Sequence, residues 1–95
     1  MALNATSSGS LSWTHTGKAM YGYKLLYSKN IKEPRFGVSG VESVYFSSIG
    51  ETSGTLPKKS DIGSGPFYVN VCAYTNDTET DSCVDYSNTV RITVN

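Results

Sequence analysis

Two cysteines, one histidine and a run of carboxylates are the residues of this chain best equipped for chemistry. Cys72 and Cys83 do not have Cys-x-x-Cys spacing, and one histidine cannot complete a usual zinc site. They suit a disulfide at the base of a loop, whose closure contributes roughly 2–3 kcal/mol in the chain-entropy account. The alternative is two reduced cysteines on an exposed face, where free thiols are a liability. His15 stands in the loop His15-Thr16-Gly17-Lys18 and reads as a solvated residue. No serine sits in a Gly-x-Ser-x-Gly turn between strand and helix, so a Ser-His-Asp site has no support. Gly63-Ser64-Gly65 is too short for a phosphate loop and no helix follows it. Asp77, Glu79, Asp81 and Asp85 gather near one another. They form either a weak calcium site or a solvated acidic tip, and the spacing of a calcium loop with its central glycine is missing. Nothing here points to an enzyme, a cofactor or a metal.

Two further features suit binding or modification. Tyr45, Tyr68 and Tyr74 fall on the outward parity of their strands. They offer a sugar-stacking or protein-contact surface, or else cross-strand pairs that stabilise a sheet. Asn4-Ala5-Thr6 and Asn76-Asp77-Thr78 match the N-glycosylation sequon, so Asn4 and Asn76 are possible glycan sites.

The strands that must position these residues show in period-two alternation. Phe67, Val69, Val71 and Ala73 point one way, and Tyr68, Asn70, Cys72 and Tyr74 the other. Val90, Ile92 and Val94 alternate with Arg91 and Thr93. Such runs are half-buried strands. Thr75 to Ser82 has no large apolar residue and is a solvated hairpin tip. Placing Cys72 opposite Cys83 sets Val71 against Val84, Val69 against Tyr86 and Phe67 against Asn88. Val84, Val90, Ile92 and Val94 then face inward, and a bulge near Ser87-Asn88 is where this register can break.

Taken in order, the other expected strands are Ala2–Ser8, Ser10–Thr14, Tyr21–Ser28, Glu42–Ser48 and Thr52–Leu56. Trp13 with Leu11 reads as core. Leu26, among polar positions of its strand, implies an outer face that is partly covered. Asn30 to Val41 is broken by Pro34, Gly37 and Gly40, and Lys58 to Gly65 is a surface loop. Seven strands at short spacing imply an all-β, antiparallel, immunoglobulin-like sandwich.

The chain has 95 residues, enough for one domain over 1–95. Eight basic and eight acidic residues cancel, which argues against a nucleic-acid phosphate binder and a polybasic membrane contact. No apolar run is long enough to insert across a bilayer. Met1-Ala2-Leu3-Asn4 lacks the basic flank and apolar stretch of a secretory signal. The chain is expected to be a module cut from a longer multidomain protein.

Along nearly its whole length the chain resembles a fibronectin type III domain. The matching residues are Leu11-Ser12-Trp13, Gly22-Tyr23-Lys24-Leu25 with Tyr27, and Leu56-Pro57. They continue with Phe67-x-Val69-x-Val71-x-Ala73, and with Tyr86-Ser87 leading into Val90-x-Ile92-x-Val94. Two features depart from that family. A tyrosine usually stands where Phe67 does, its hydroxyl bonded to the preceding loop, so Lys58 to Gly65 must be held otherwise. The cysteine pair is not a general feature. An antibody-type domain fits less well, because Trp13 precedes both cysteines instead of lying between them. The resemblance implies a non-catalytic extracellular or cell-surface module, a spacer or a protein-protein interaction and adhesion domain. Its partners would be neighbouring domains and another protein or a glycan. The rival classes are a carbohydrate-binding accessory module and a repeating subunit of a surface filament. A direct check on the cysteines is alkylation of the native, unreduced protein: neither Cys72 nor Cys83 should react.

Overall fold

The computed structural model describes residues 1–6, 10–15, 21–47, 50, 52–57, 59–63, 65–74 and 83–94. Among them are β1 (Ala2–Ala5), β2 (Ser10–Thr14), β3 (Tyr23–Ser28), β4 (Glu42–Phe46) and β5 (Ser53–Thr55). One helical turn follows, α1 (Lys59–Ile62), then β6 (Gly65–Tyr74), β7 (Cys83–Val84) and β8 (Val90–Val94). One antiparallel sheet has the order β1-β2-β5. The other runs β4-β3-β6, and β6 pairs with β8 along its first half and with β7 at its end.

The alternation in the sequence decides which side of each strand is buried. Leu3, Leu11 and Trp13 leave the three-stranded sheet to meet Tyr23, Leu25, Tyr27, Phe67, Val69, Val71, Ala73 and Ile92 of the other. Trp13, Leu25, Val71 and Ile92 therefore share one core. Burying a side chain of this size contributes about 1.5–3 kcal/mol, against roughly 0.2–1 for a cross-strand surface pair. The inward residues hold the sheets together. Trp13 packs edge-on to Tyr23, with ring centroids 5.6 Å apart, and lies equally close to Phe46. Phe46 reaches β5 only because Gly54 is there, since a Cβ would lie 2.7 Å from its ring. Gly22 is required more strictly: its φ is +108°, and a Cβ would lie 1.9 Å from the Phe46 carbonyl oxygen.

The hairpin register differs from the sequence expectation. Cys83 lies opposite Tyr74, and Val84 opposite Ala73. Farther along, Phe67 pairs with Ile92 and Val69 with Val90. Between these ladders, residues 85–89 face only Asn70, Val71 and Cys72, so two residues are extra. The expected bulge is real and larger than one residue. Asp85 takes a left-handed φ of 53° at its start. Ser87 bridges the gap: its N–H donates to the Val71 carbonyl at 2.8 Å, and its Oγ accepts from the Val71 N–H at 2.9 Å. Two extra residues preserve parity, so Ile92 remains buried. Val84, expected inside, is exposed because it sits at the end of the ladder.

The outer face of the five-stranded sheet is covered at its centre, over the middle of β3 and β6. Asn70 and Cys72, on the outward parity of β6, are both 0 % exposed, as is Leu26 on β3. The cover is the irregular stretch around Pro34, itself fully buried. The Pro34 carbonyl accepts from Asn70 Nδ2 at 2.9 Å, and the Phe36 N–H donates to the Tyr86 hydroxyl at 3.1 Å. At the opposite extreme, the outward residues of the three-stranded sheet are all small and uncharged. Ala2, Asn4, Ser10, Ser12, Thr14, Ser53 and Thr55 are exposed.

The connection before β6, expected as a surface loop, contains α1. Its Ile62 packs on the core, and Lys29 Nζ lies 5.4 Å over the Phe67 ring beside it. The inside–outside assignment has a direct test: in urea denaturation Val71→Ala should lose about 2 kcal/mol, and Ser12→Ala no more than about 0.5.

Candidate functional site

The outward tyrosines separate into two places. Tyr45 on β4 stands opposite Lys24 of β3, and Tyr74 on β6 lies diagonally to it, two residues beyond Cys72, the residue that Lys24 faces. Their rings meet edge-on at 5.3 Å, and Phe36 approaches Tyr74 at 6.4 Å. Lys24 Nζ rests 3.9 Å from the Phe36 centroid, 4.3 Å from Tyr74 and 5.9 Å from Tyr45. The Tyr45 hydroxyl donates to the Tyr21 carbonyl. The cluster thus encloses its own cation, an arrangement contributing about 0.5–1 kcal/mol at an exposed site. Tyr68 pairs with Ser28 and Arg91 instead. It is six residues along β6 from Tyr74, roughly 20 Å at strand spacing. Buried Asn70 and Cys72 lie between them, so the three tyrosines form no continuous surface.

A second group surrounds the break between β7 and β8. Cys72 and Cys83 are joined, with their Cα atoms 5.3 Å apart. The bond runs diagonally, because Cys83 stands opposite Tyr74. His15 is no solvated loop residue: its side chain is only 3 % exposed. Nε2 lies 3.1 Å from Asp85 Oδ2, and Nδ1 lies 3.5 Å from the Tyr23 hydroxyl. The left-handed turn at Asp85 presents that carboxylate to the ring. Among the described residues no serine or cysteine completes a nucleophilic arrangement with this pair, and Ser87 Oγ is engaged by Val71 and donates to the Asn88 carbonyl. Asn88 reaches the other sheet. Its Oδ1 accepts from the Leu3 N–H at 2.9 Å and its Nδ2 donates to the Leu3 carbonyl at 3.1 Å. The side-chain amide thus serves β1 as a neighbouring strand would.

Asn4 of the first sequon is exposed on β1, opposite Ser12, in the uncharged face. Asn76 of the second, and the acidic residues Asp77, Glu79 and Asp81, lie outside the described residues.

A concave site lies elsewhere, beside α1. A pocket of about 450 Å³ opens between the end of β3, the start of β4 and α1. Tyr27, Lys29, Glu42, Asp61 and Phe67 line it. Tyr27 packs edge-on to Phe67, with centroids 5.8 Å apart and planes at 79°. Burial pushes the Tyr27 phenol above its ordinary value of 10.0, and the Glu42 and Asp61 carboxylates push the same way. Period-two alternation puts Tyr27 on the same side of its strand as Tyr23 and Leu25, and it is 8 % exposed. Its role as a pocket wall was not visible, because that depends on pairing with Glu42 across β3 and β4 and on α1 folding back. The one signal was its place as the last inward residue of its strand.

Comparison with protein-family models, with curated proteins and with solved structures finds no match to this chain.

A folded phenol that ionises late holds its proton while the unfolded one releases it. Stability from Tyr27 is thus fully present below pH 10.0 and is lost as pH rises through the folded value. Spectrophotometric titration should show one tyrosine ionising above the ordinary range, absent in Tyr27→Phe. Removal of the bridge in a Cys72→Ala, Cys83→Ala variant should lower stability in urea by about 3 kcal/mol.

Proposed function

We propose that this chain is a non-catalytic, fibronectin type III-like module of a secreted or cell-surface protein, which spaces neighbouring domains and docks a partner protein. The observation that carries this is the clamp between its first and last strands. Asn88 holds Leu3 by both backbone groups. Six residues then run from Asn88 to Val94, carrying the chain roughly 20 Å away from Leu3 at strand spacing. The longest dimension is 35 Å. A chain entering beside Asn88 and leaving past Val94 crosses much of that length, which suits end-to-end threading. The strand order supports the same kinship. β2 pairs with β5 and β3 with β6, which are the crossed connections of Greek-key sandwiches. The disulfide is the bond of an oxidising compartment, and among the described residues no helix is long and apolar enough to cross a membrane.

One observation favours the filament alternative. Among the described residues β4 pairs on one side only, with β3, which leaves its other edge to strand addition. The sugar-binding alternative has less support, since Tyr45 and Tyr74 are turned edge-on and enclose Lys24.

Two copies joined head to tail by a short linker distinguish these readings in small-angle X-ray scattering. The spacer expects an extended pair with a maximum dimension of about twice the 35 Å of one copy. A pair folded side by side sinks it. Growth of single copies into oligomers with concentration would move the assignment to the filament, and retention on a glycan panel to the sugar-binding module.

A further inference from the structure

The pocket at the α1 end has an unsatisfied chemistry that the spacer geometry does not use. Tyr27 is 8 % exposed, yet no described residue hydrogen-bonds its hydroxyl. Glu42 and Asp61 act on that hydroxyl from β4 and α1, and neither has an ion-pair partner among the described residues. Lys29 lines the same pocket but rests over the Phe67 ring, at 5.4 Å, and not on either carboxylate. The site therefore combines two carboxylates, a phenol oxygen that reaches the pocket and a ring face that already receives a cation. Its volume of about 450 Å³ falls in the range of small-ligand pockets, roughly 300–1,000 Å³.

The geometry points to a docking pocket for a basic side chain of a partner protein, arginine in preference to lysine, held by Glu42, Asp61 and the Tyr27 hydroxyl. This rests on the reading of the domain as an interaction module and names the chemistry of its partner. A guanidinium has five donors in one plane, so it reaches two carboxylates on different elements and a phenol oxygen together. An ammonium is a point charge and satisfies fewer of them. A sugar fits less well, because Phe67 is 3 % exposed and Tyr27 8 %, and neither offers a free ring face for stacking. A divalent cation also fits less well, since no group of three metal-ligating side chains gathers among the described residues.

The test is a nuclear magnetic resonance titration of the whole chain with Nα-acetyl-arginine methylamide. The lysine and glutamate analogues and calcium chloride serve as parallel arms. The expected result is saturable shifts at the amides of Tyr27, Glu42, Asp61 and Ile62 with the arginine compound, weaker shifts with lysine and none with glutamate. Glu42→Gln with Asp61→Asn, both at exposed positions, should weaken binding at least about tenfold, as loss of charge-assisted hydrogen bonds requires. Tyr27→Phe should weaken it less. Absence of saturable shifts, or equal affinity in the double variant, overturns the pocket. Shifts with calcium and not with arginine overturn it in favour of a metal. The scattering experiment involves none of these side chains, so the outcomes separate. An extended pair without arginine binding removes the pocket alone, and a folded-back pair that binds arginine removes the end-to-end geometry alone.

Discussion

Burial of β6 on both of its faces is the constraint from which the rest of the architecture follows. One face meets the core through Phe67, Val69, Val71 and Ala73. The other would carry Asn70 and Cys72 into water, yet both are fully enclosed. An enclosed amide without partners costs about 1–3 kcal/mol, so a hydrogen-bonding cover must come with it. Pro34 supplies a carbonyl at 2.9 Å and Thr89 a hydroxyl at 3.4 Å to Asn70 Nδ2, while Oδ1 has no partner among the described residues. Docking Pro34 there brings Phe36 against Tyr74 and over Lys24, and Arg35 over the Tyr86 ring at 4.2 Å. A stretch with no regular structure is thereby as much a part of the packing as a strand.

The break between β7 and β8 solves a second problem. A bulge exposes backbone groups that its partner strand can no longer satisfy. Ser87 meets both backbone groups of Val71 itself. The same five residues send Asn88 across to β1 and Asp85 to His15. One irregularity therefore ties the two sheets together, closes an otherwise open edge at Leu3 and encloses the histidine. The disulfide lies just before it, so the break is anchored at its start by a covalent bond and at its end by the β8 ladder.

These devices divide the molecule into unlike ends. At the end with the bridge, the polar groups His15, Asp85, Ser87 and Asn88 engage one another or the backbone. At the α1 end, Tyr27, Glu42 and Asp61 converge with no such partner among the described residues. Polar groups bound to each other hold structure, and polar groups that converge on a pocket without satisfying one another are available to a ligand. That contrast is why the proposed docking pocket is drawn at the α1 end and not on the tyrosine face, where Lys24 already occupies the aromatic cluster.

The sequence by itself determined the β class, the approximate place of most strands and, Val84 apart, the inward set among the described residues, and it favoured the cysteine pair. Period-two alternation is a local property and survives any register shift of two, so Phe67 to Ala73 and Ile92 could be assigned without a partner. Leu26 also signalled, from its polar surroundings, that something covers the outer face. Tertiary structure decided what that cover is, because Pro34 and Asn70 are far apart in the chain and share no pattern. It decided the ladder as well. Cys72 does not oppose Cys83, since a bridge can close diagonally and the two extra residues of 85–89 are invisible to parity. His15 was misread for a similar reason: its burial depends on Asp85, 70 positions away. The pocket at Tyr27 required three elements to converge. A strand pattern records which side of each residue faces inward, but not which charges from other elements will meet it there.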